Sequence, residues 1–527
     1  MHTECYPISI LPRLSRLFLD YAASREPLTP FYSAAPYGEP WKGVPRSTQS
    51  YAAIADLLFA QNKNFGPASV TLDNIGKLRS GSPAIVTGQQ VTLFGGPLFT
   101  LLKAATAIRK AKDAGAVPIF WLATEDHDLA EADHVALPSR HSLHNLQLQH
   151  SAEDSGRPVG QIKLGDAILP LLDQAAELLG PGPALDSLRA AYTPNATYAE
   201  AFARFLSATF ASEGLILIDA AGRDFHRLGA PVLRSAIERA AELEALLLER
   251  THLLESRGYD AQVLVSPESS LLFLIDEESG VRLALKRKDE KWIAGKQQYS
   301  TDDLLEILED SPERLSPNAL LRPVFQDAIL PTATYIGGPA EIAYFAQSQV
   351  LYQAILGRTT PVLPRLSATL IEPAQAKAFA QYELSLPDII ASQPDELSQR
   401  LGARSMPIEG KQRLAAAGNA LDEELKSVTA WMARLDPELG KSAEVAASKM
   451  RYQMDRLRRL AASHQLQKEA GIRKHVDALY LSLFPDLHPQ ERVIGAPVFV
   501  ARYGDHLISE LIELAAQDCP GHRAVFL

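Results

Sequence analysis

Between Trp121 and His134 the chain reads "WLATEDHDLAEADH". Glu125, Asp126, His127, Asp128, Glu131, Asp133 and His134 crowd directly behind an apolar run. Carboxylates at this density repel one another and are costly to bury, so a chain that keeps them together has either solvent or a ligand for them. A carboxylate-rich pocket can hold a substrate ammonium or take a proton from an amine. Glu125 and Asp126 suit the first task, and His127 and Asp128 the second, because a histidine pKa moves across neutrality with small changes of surroundings. The structural reading of Asp126 and Asp128 is capping of a following helix. If that helix starts near Asp126, then His127, Glu131 and His134 fall on one face at i, i+4 and i+7. That face is a candidate divalent-metal set for a hydrolase or deacetylase, although the pattern is not H-E-x-x-H and no cysteine completes it. A polar pocket with no metal is the preferred reading.

Two further stretches carry groups suited to oxygen anions. "GQQVTLFGG" supplies Gly88, Gln89, Gln90, Gly95 and Gly96, with Lys103 a turn or two into the next helix. It is neither G-x-G-x-x-G nor G-x-x-x-x-G-K-[ST]. "LLRPVFQDAILPTATYIGGPAEIAYFAQ" supplies Arg322, Gln326, Asp327, Tyr335, Gly337, Gly338, Glu341 and Tyr344. Its "YIGGP" echoes the earlier "LFGGP", each at the start of a helix, where free N–H groups attract anions. The competing reading is a tight turn that needs glycine. Arg322 suits bidentate contact with a carboxylate or phosphate, and an ion pair with Asp327 or Glu341 is its structural alternative. Arg365 in "VLPRLSATL" follows another apolar strand and is a further anion candidate.

These residues need elements to position them. "PAIVTG" reads as a buried strand, the segment from Pro97 as a helix closed by Gly115, and "VPIFWLAT" as a second strand. Strand, helix and strand make a βαβ unit and imply a parallel sheet, which binds ligands beyond the carboxyl ends of its strands. Gly88–Gly96 and Glu125–Asp128 would both lie there. Further on, "PVLRSAIERAAELEALLLERTHLLESRG" reads as one long helix. The segments "AQVLV", "LLFLID", "VRLALK" and "KWIAG" read as a small β insertion at about 259–300. Residues 1–372 are assigned to the core. From 373 to 485 the texture changes. Leu421, Leu425, Val428, Met432 and Leu435, then Ala447, Met450, Met454, Leu457 and Ala461, repeat at spacings of four and three. This predicts an antiparallel coiled-coil arm suited to dimerisation. Residues 486–527 read as a segment returning to the core. Arg492 and Tyr503 within it are candidates for a second, nucleotide site between core and arm. The fold class is therefore α/β, a parallel-sheet core with inserted connecting segments plus a helical coiled-coil domain.

The 527 residues carry a net charge of −11, and the pI is near 5.7. This is the wrong sign for a general nucleic-acid binder. No apolar run is long enough for a bilayer, and no leader pattern opens the chain, so the cytoplasm is expected. Cys5 and Cys519 lie near opposite ends and read as two reduced thiols.

Taken together, "TGQQVTLFGGPLFTLLKAATAI", "PIFWLATEDHDLAEADHV", "LRPVFQDAILPTATYIGGPAEIAYFAQ" and "PVLPRLSATLIEP" resemble the cysteine-adding enzyme family of bacillithiol biosynthesis, in the same order along most of the chain. The resemblance implies a Rossmann-like core and a homodimer with a coiled-coil domain. It also implies a ligase that joins the L-cysteine carboxyl to the amine of glucosaminyl-malate, giving the low-molecular-weight thiol bacillithiol. ATP is the expected co-substrate, with no tightly bound cofactor. In that frame the Gly95–Gly96 and Gly337–Gly338 helix starts would hold phosphates or carboxylates. Arg322, Arg365 and Lys103 would hold the malate. The HIGH and KMSKS signatures of class I synthetases are absent from the sequence, which leaves the activation chemistry open. A non-catalytic scaffold built around the arm is the reading furthest from these.

Overall fold

The computed structural model describes residues 2–43, 51–288, 291–468, 470–516 and 519–527. Thr3–Thr369 and Pro489–Val525 form one compact unit. Leu370–His488, with the two extreme ends of the chain, forms another.

The core of the larger unit is a parallel sheet in the order Val362–Pro364, Thr332–Gly337, Ala84–Gln90, Val117–Ala123, Ile216–Asp219. Every residue of Val117–Ala123 is buried. Its unbroken apolar run is what a parallel strand covered on both faces requires. The chain runs outward from Ala84–Gln90 in one direction, then returns to place Thr332–Gly337 on that strand's other side. The strand order thus reverses between these two strands, and their carboxyl ends, Gly88–Gln90 and Gly337, sit side by side. A crevice for ligand opens at such a reversal.

The helix after the first strand is Phe99–Ala114, closed by Gly115 in the left-handed region at φ 59°. Pro339 opens the helix after the fourth strand, which runs to Leu356 and is closed by Gly357 at φ 64°. Ala107 and Ala111 of the first helix pack with Ile85, Ala333, Ile336, Leu363 and Trp41 in one buried cluster.

The β insertion is a five-stranded antiparallel sheet in the order Gln297–Tyr299, Lys291–Ala294, Arg282–Lys288, Ser269–Ile275, Leu315–Pro317. The expected strand at "AQVLV" is absent, and Leu315–Pro317 takes an edge instead. The long helix expected to close at Gly258 is two helices, Arg223–Glu238 and Ala240–Ser256, broken at Arg239. Arg239 stands at the break with φ −108° and ψ 22°, and its guanidinium Nη1 donates to Ala354 O at 2.8 Å.

Cys5 and Cys519 are joined in a disulfide, not two separate thiols, with Cα atoms 6.1 Å apart. Their separation of 514 residues hid the pairing, because only folding brings the ends together.

The smaller unit carries two long helices, Ile408–Leu435 and Pro437–Lys468, which turn at Asp436. Of the expected seam, Ala447 and Met454 are buried, while Val428, Leu435, Met450 and Leu457 are exposed. Leu421, Leu425, Met432 and Ala461 are half-buried, so four of the ten expected seam residues are exposed. Trp431, Leu439, Val445, Tyr452 and Leu460 add to the exposed apolar surface.

Candidate active site

A cavity of about 340 Å³ opens at the strand-order reversal. Gly88, Gln89 and Gln90 form its floor, and Lys103, Asp126, Glu131, Arg322, Gln326, Tyr335, Gly338, Glu341, Tyr344, Arg365 and Arg492 line it. Segments more than 400 residues apart in sequence converge here, all within the larger unit.

The central contact is an ion pair between Asp126 and Arg322. Arg322 is the first residue of the helix Arg322–Ile329, so its side chain starts at the cavity edge. A second guanidinium, Arg282, lies 3.5 Å from the same Asp126 oxygen. With its amide oriented to donate, Gln90 reaches Asp126 Oδ2 at 3.2 Å. Burial works against the Asp126 charge, but Arg322 and Arg282 outweigh it and hold the carboxyl below its ordinary range. In turn, Asp126 outweighs burial at Arg322 and raises that guanidinium further.

Lys103 is buried, and its Nζ donates to Gly88 O at 2.7 Å and Gln89 Oε1 at 3.0 Å while pairing with Glu341. Burial pulls the Lys103 pKa down against the pull of Glu341. Glu341 also accepts from Tyr335 OH at 2.6 Å and from Gly338 N at 2.6 Å. Arg365 is tied through both terminal nitrogens to Glu491, at 2.6 and 3.1 Å. Arg492 has no ion-pair partner among the described residues, and its pKa is lowered by burial and by Arg365. It is the cavity's guanidinium best placed to meet an incoming anion. Glu131 is its acidic counterpart, because burial and then Asp128 and Asp126 push its carboxyl upward. A carboxyl raised in this way is a better proton acceptor than an ordinary one.

Several expected site residues take structural duties instead. Glu125 is buried, faces His226 Nε2 at 2.9 Å and lies outside the cavity lining. Asp128 caps the short helix Leu129–Ala132, accepting from Glu131 N at 3.2 Å, and lies outside the cavity lining. The capping reading therefore holds for Asp128, while Asp126 carries the acidic contact with Arg322. That helix has only four residues. His127 precedes it and His134 starts the next strand, so the i, i+4, i+7 face required for a metal triad does not form. Asp327 is buried, accepting from Gln326 Nε2 at 2.9 Å and Tyr352 OH at 2.7 Å, and is part of the core.

The glycine helix starts also differ from expectation. Gly95 N donates to Tyr192 OH at 2.8 Å and Gly96 N to Leu93 O at 3.0 Å, so neither amide is free for an anion. A Cβ on Gly95 would lie 2.4 Å from the Phe205 ring, and one on Gly96 2.3 Å from Thr92 Oγ1. Gly338 N is taken by Glu341, the carboxylate three residues into its own helix. Gly337 lines a separate cavity of about 60 Å³ behind Arg365. Tyr503 lines neither of these cavities, in contrast to Arg492.

His127 is placed as a donor. Arg282 Nη1 lies 3.2 Å from His127 Nδ1. A guanidinium has only donors, so Nδ1 accepts and the proton of neutral His127 sits on Nε2. Burial and Arg282 both lower the His127 pKa, which keeps the ring neutral. Arg282 escaped the sequence reading because it opens a strand, "RLALKRK", whose basic residues look solvent-facing. Its contacts with Asp126 and His127 span about 155 residues. Glu491 and His226 escaped for the same reason, since each partner is remote in sequence.

Comparisons with known proteins agree along the whole chain. Residues 1–366 match the model of the bacillithiol biosynthesis BshC N-terminal Rossmann-like domain, and residues 368–527 that of the BshC C-terminal coiled-coil domain. A protein of Koribacter versatilis named "Putative cysteine ligase BshC" is 40% identical, with all of both chains covered. One of the same name in Solibacter usitatus is 34% identical, again over all of both chains. A third, in Salinibacter ruber, is 29% identical over 98% of this chain and 97% of its own.

Proposed function

Because the chain belongs to the bacillithiol biosynthesis BshC family over its full length, we propose that it is a cysteine ligase that forms a carbon–nitrogen bond. In the finer reading, the cysteine carboxyl is joined to the amine of glucosaminyl-malate to give bacillithiol. The observation that carries this reading is the pairing of opposite functions in one cavity: Arg492 for an oxygen anion, and Asp126 with Glu131 for an amine.

A carboxylate does not condense with an amine in water unless its oxygen is turned into a leaving group. ATP is the proposed co-substrate. Transfer of a phosphoryl or adenylyl group to the cysteine carboxyl creates that leaving group, and the negative charge involved favours Arg492 and Lys103 as its neighbours. The attacking amine must be neutral. Asp126, kept ionised by its two arginines, accepts a hydrogen bond from the amine and orients it. Glu131 takes the amine proton as the C–N bond forms, and the carboxyl oxygen leaves on the phosphoryl or adenylyl group.

A homodimer is proposed through the exposed apolar residues of the two long helices, Trp431 and Leu435 among them. No helix among the described residues is long and apolar enough to cross a membrane. The deciding experiment supplies the purified protein with cysteine, glucosaminyl-malate and ATP and follows the thiol product and the nucleotide product together. Stoichiometric bacillithiol and cleaved ATP are expected. ATP cleavage with no thiol conjugate, or no turnover from a folded sample, overturns the reading.

A further inference from the structure

We propose that a second cavity, walled by the β insertion, is the subsite for the amine-bearing substrate, an amino sugar carrying a carboxylate-bearing substituent. This rests on the ligase reading above and assigns its two organic substrates to two chambers.

The second cavity measures about 510 Å³, against about 340 Å³ for the first, and both lie in the range of small-molecule sites. They share Asp126, Ala319 and Arg322 as lining residues. A condensation of two substrates needs both reacting atoms at one place. Two chambers that meet at the Asp126–Arg322 pair provide such a place, with the acid component on one side and the amine component on the other. The smaller chamber, with Arg492, suits a single amino acid and its activated carboxyl. The larger suits a sugar conjugate.

The walls of the second chamber agree with that division. The two-residue period of the strand Arg282–Lys288 brings Arg282, Ala284 and Lys286 to its lining. Arg282 is not available to a ligand. Its Nε donates to Ser316 Oγ at 2.9 Å, its Nη2 to Pro317 O at 3.0 Å and its Nη1 toward His127, while its guanidinium lies 3.7 Å from the Phe273 ring centre. It is a positioning residue that leaves the His127 Nε2–H as a donor beside Asp126. Lys286 and Glu268 both line the chamber, and neither has an ion-pair partner among the described residues. Glu268 is held at φ +75°, a strained conformation for a residue with a side chain and one that recurs at ligand-binding sites. A free cation, a free carboxylate and an imidazole donor match a ligand with carboxylates, hydroxyls and an amine. They do not match an apolar one.

The test uses the full-length protein, Lys286→Ala and Ala284→Trp. Ala284 is exposed, so the indole fills the chamber without disturbing the core. Steady-state KM values for cysteine, ATP and glucosaminyl-malate are measured separately, and glucosaminyl-malate binding is followed by calorimetry. Both variants are expected to raise the glucosaminyl-malate KM by about ten-fold or more and to leave the other two within about two-fold. Arg492→Ala is expected to do the reverse for cysteine. A wild-type glucosaminyl-malate KM in both variants overturns the assignment, as does a rise in the ATP or cysteine KM in its place. If the wild-type protein neither binds glucosaminyl-malate nor turns over, the ligase reading itself falls and the chamber falls with it. Product from the wild type with unaffected variants removes the chamber alone.

Discussion

Glu131 and Asp126 show how two carboxyls in one cavity are separated into different tasks. Asp126 has two arginines against it and stays ionised. Glu131 is pushed up by burial first and then by the Asp128 and Asp126 carboxylates. Pairs of titratable groups driven apart by their surroundings are the usual arrangement of acid–base sites. In the proposed reaction Glu131 must be a carboxylate to take the proton, so kcat should fall as pH drops through its raised pKa. Glu131→Gln is expected to lower kcat by about 10²-fold or more and to abolish that limb, while cysteine KM changes little. A Glu131→Gln pH–rate profile identical to wild type would exclude Glu131 as the base.

At the scale of elements, the glycine-rich loop shows why a motif and a site can separate. Gly95 and Gly96 have φ of +82° and +69°, and both pack against side chains where a Cβ would collide. They let the chain turn from the first strand into its helix, and Lys103, two turns later, carries the loop's contribution to the cavity. Gly95→Ala is therefore expected to destabilise the fold by about 1–3 kcal/mol in urea titration, through both strain and overpacking against Phe205. Gly338 has an ordinary φ of −79°, and an added Cβ would meet the end of the Glu341 side chain at 3.2 Å, with Arg365 Nε and Lys103 Cε at an ordinary 3.8 Å. Gly338→Ala should cost much less stability. Equal losses in the two variants would contradict this division.

For the molecule as a whole, the C-terminal segment is built into the active-site wall. Glu491 accepts from both Arg365 terminal nitrogens, from Ser367 Oγ and from Ala368 N. Burial opposes its charge, yet Arg365 and the other donors hold its pKa down to about 2. His522, buried between the Ser367 and Thr369 hydroxyls, is brought down to about 4 by burial. As pH falls below the ordinary histidine value of 6.5, the unfolded chain takes up the His522 proton before the folded one. Its contribution is thus full above pH 6.5 and lost toward pH 4. Glu491 behaves likewise from about 4.5 down to about 2. His226 runs the other way. Despite burial, Glu125 raises its pKa, so that contribution is present below 6.5 and lost as pH rises through the raised value. His522→Gln is expected to flatten the stability slope between pH 6.5 and 4.5, removing about 3 kcal/mol of pH dependence in the limit. An unchanged slope in denaturant titrations at the two pH values would exclude His522 as its source.

The sequence by itself determined the parallel core and its edge. The unbroken apolar run of Val117–Ala123, the helix closed by Gly115 and the Pro339 helix start are local signals, set by periodicity and by backbone stereochemistry. It also placed Asp126, Lys103 and Glu341 near that edge, because each comes after a strand of the core sheet. Tertiary structure decided which of them meet. Asp126 faces the cavity and Glu125 faces His226 because neighbouring residues beyond a strand point to different sides. Arg282, Glu491 and the Cys5–Cys519 bond depend on partners between 126 and 514 residues away. Charge pairing and burial act through space, and a linear reading registers them only when the partners are neighbours along the chain.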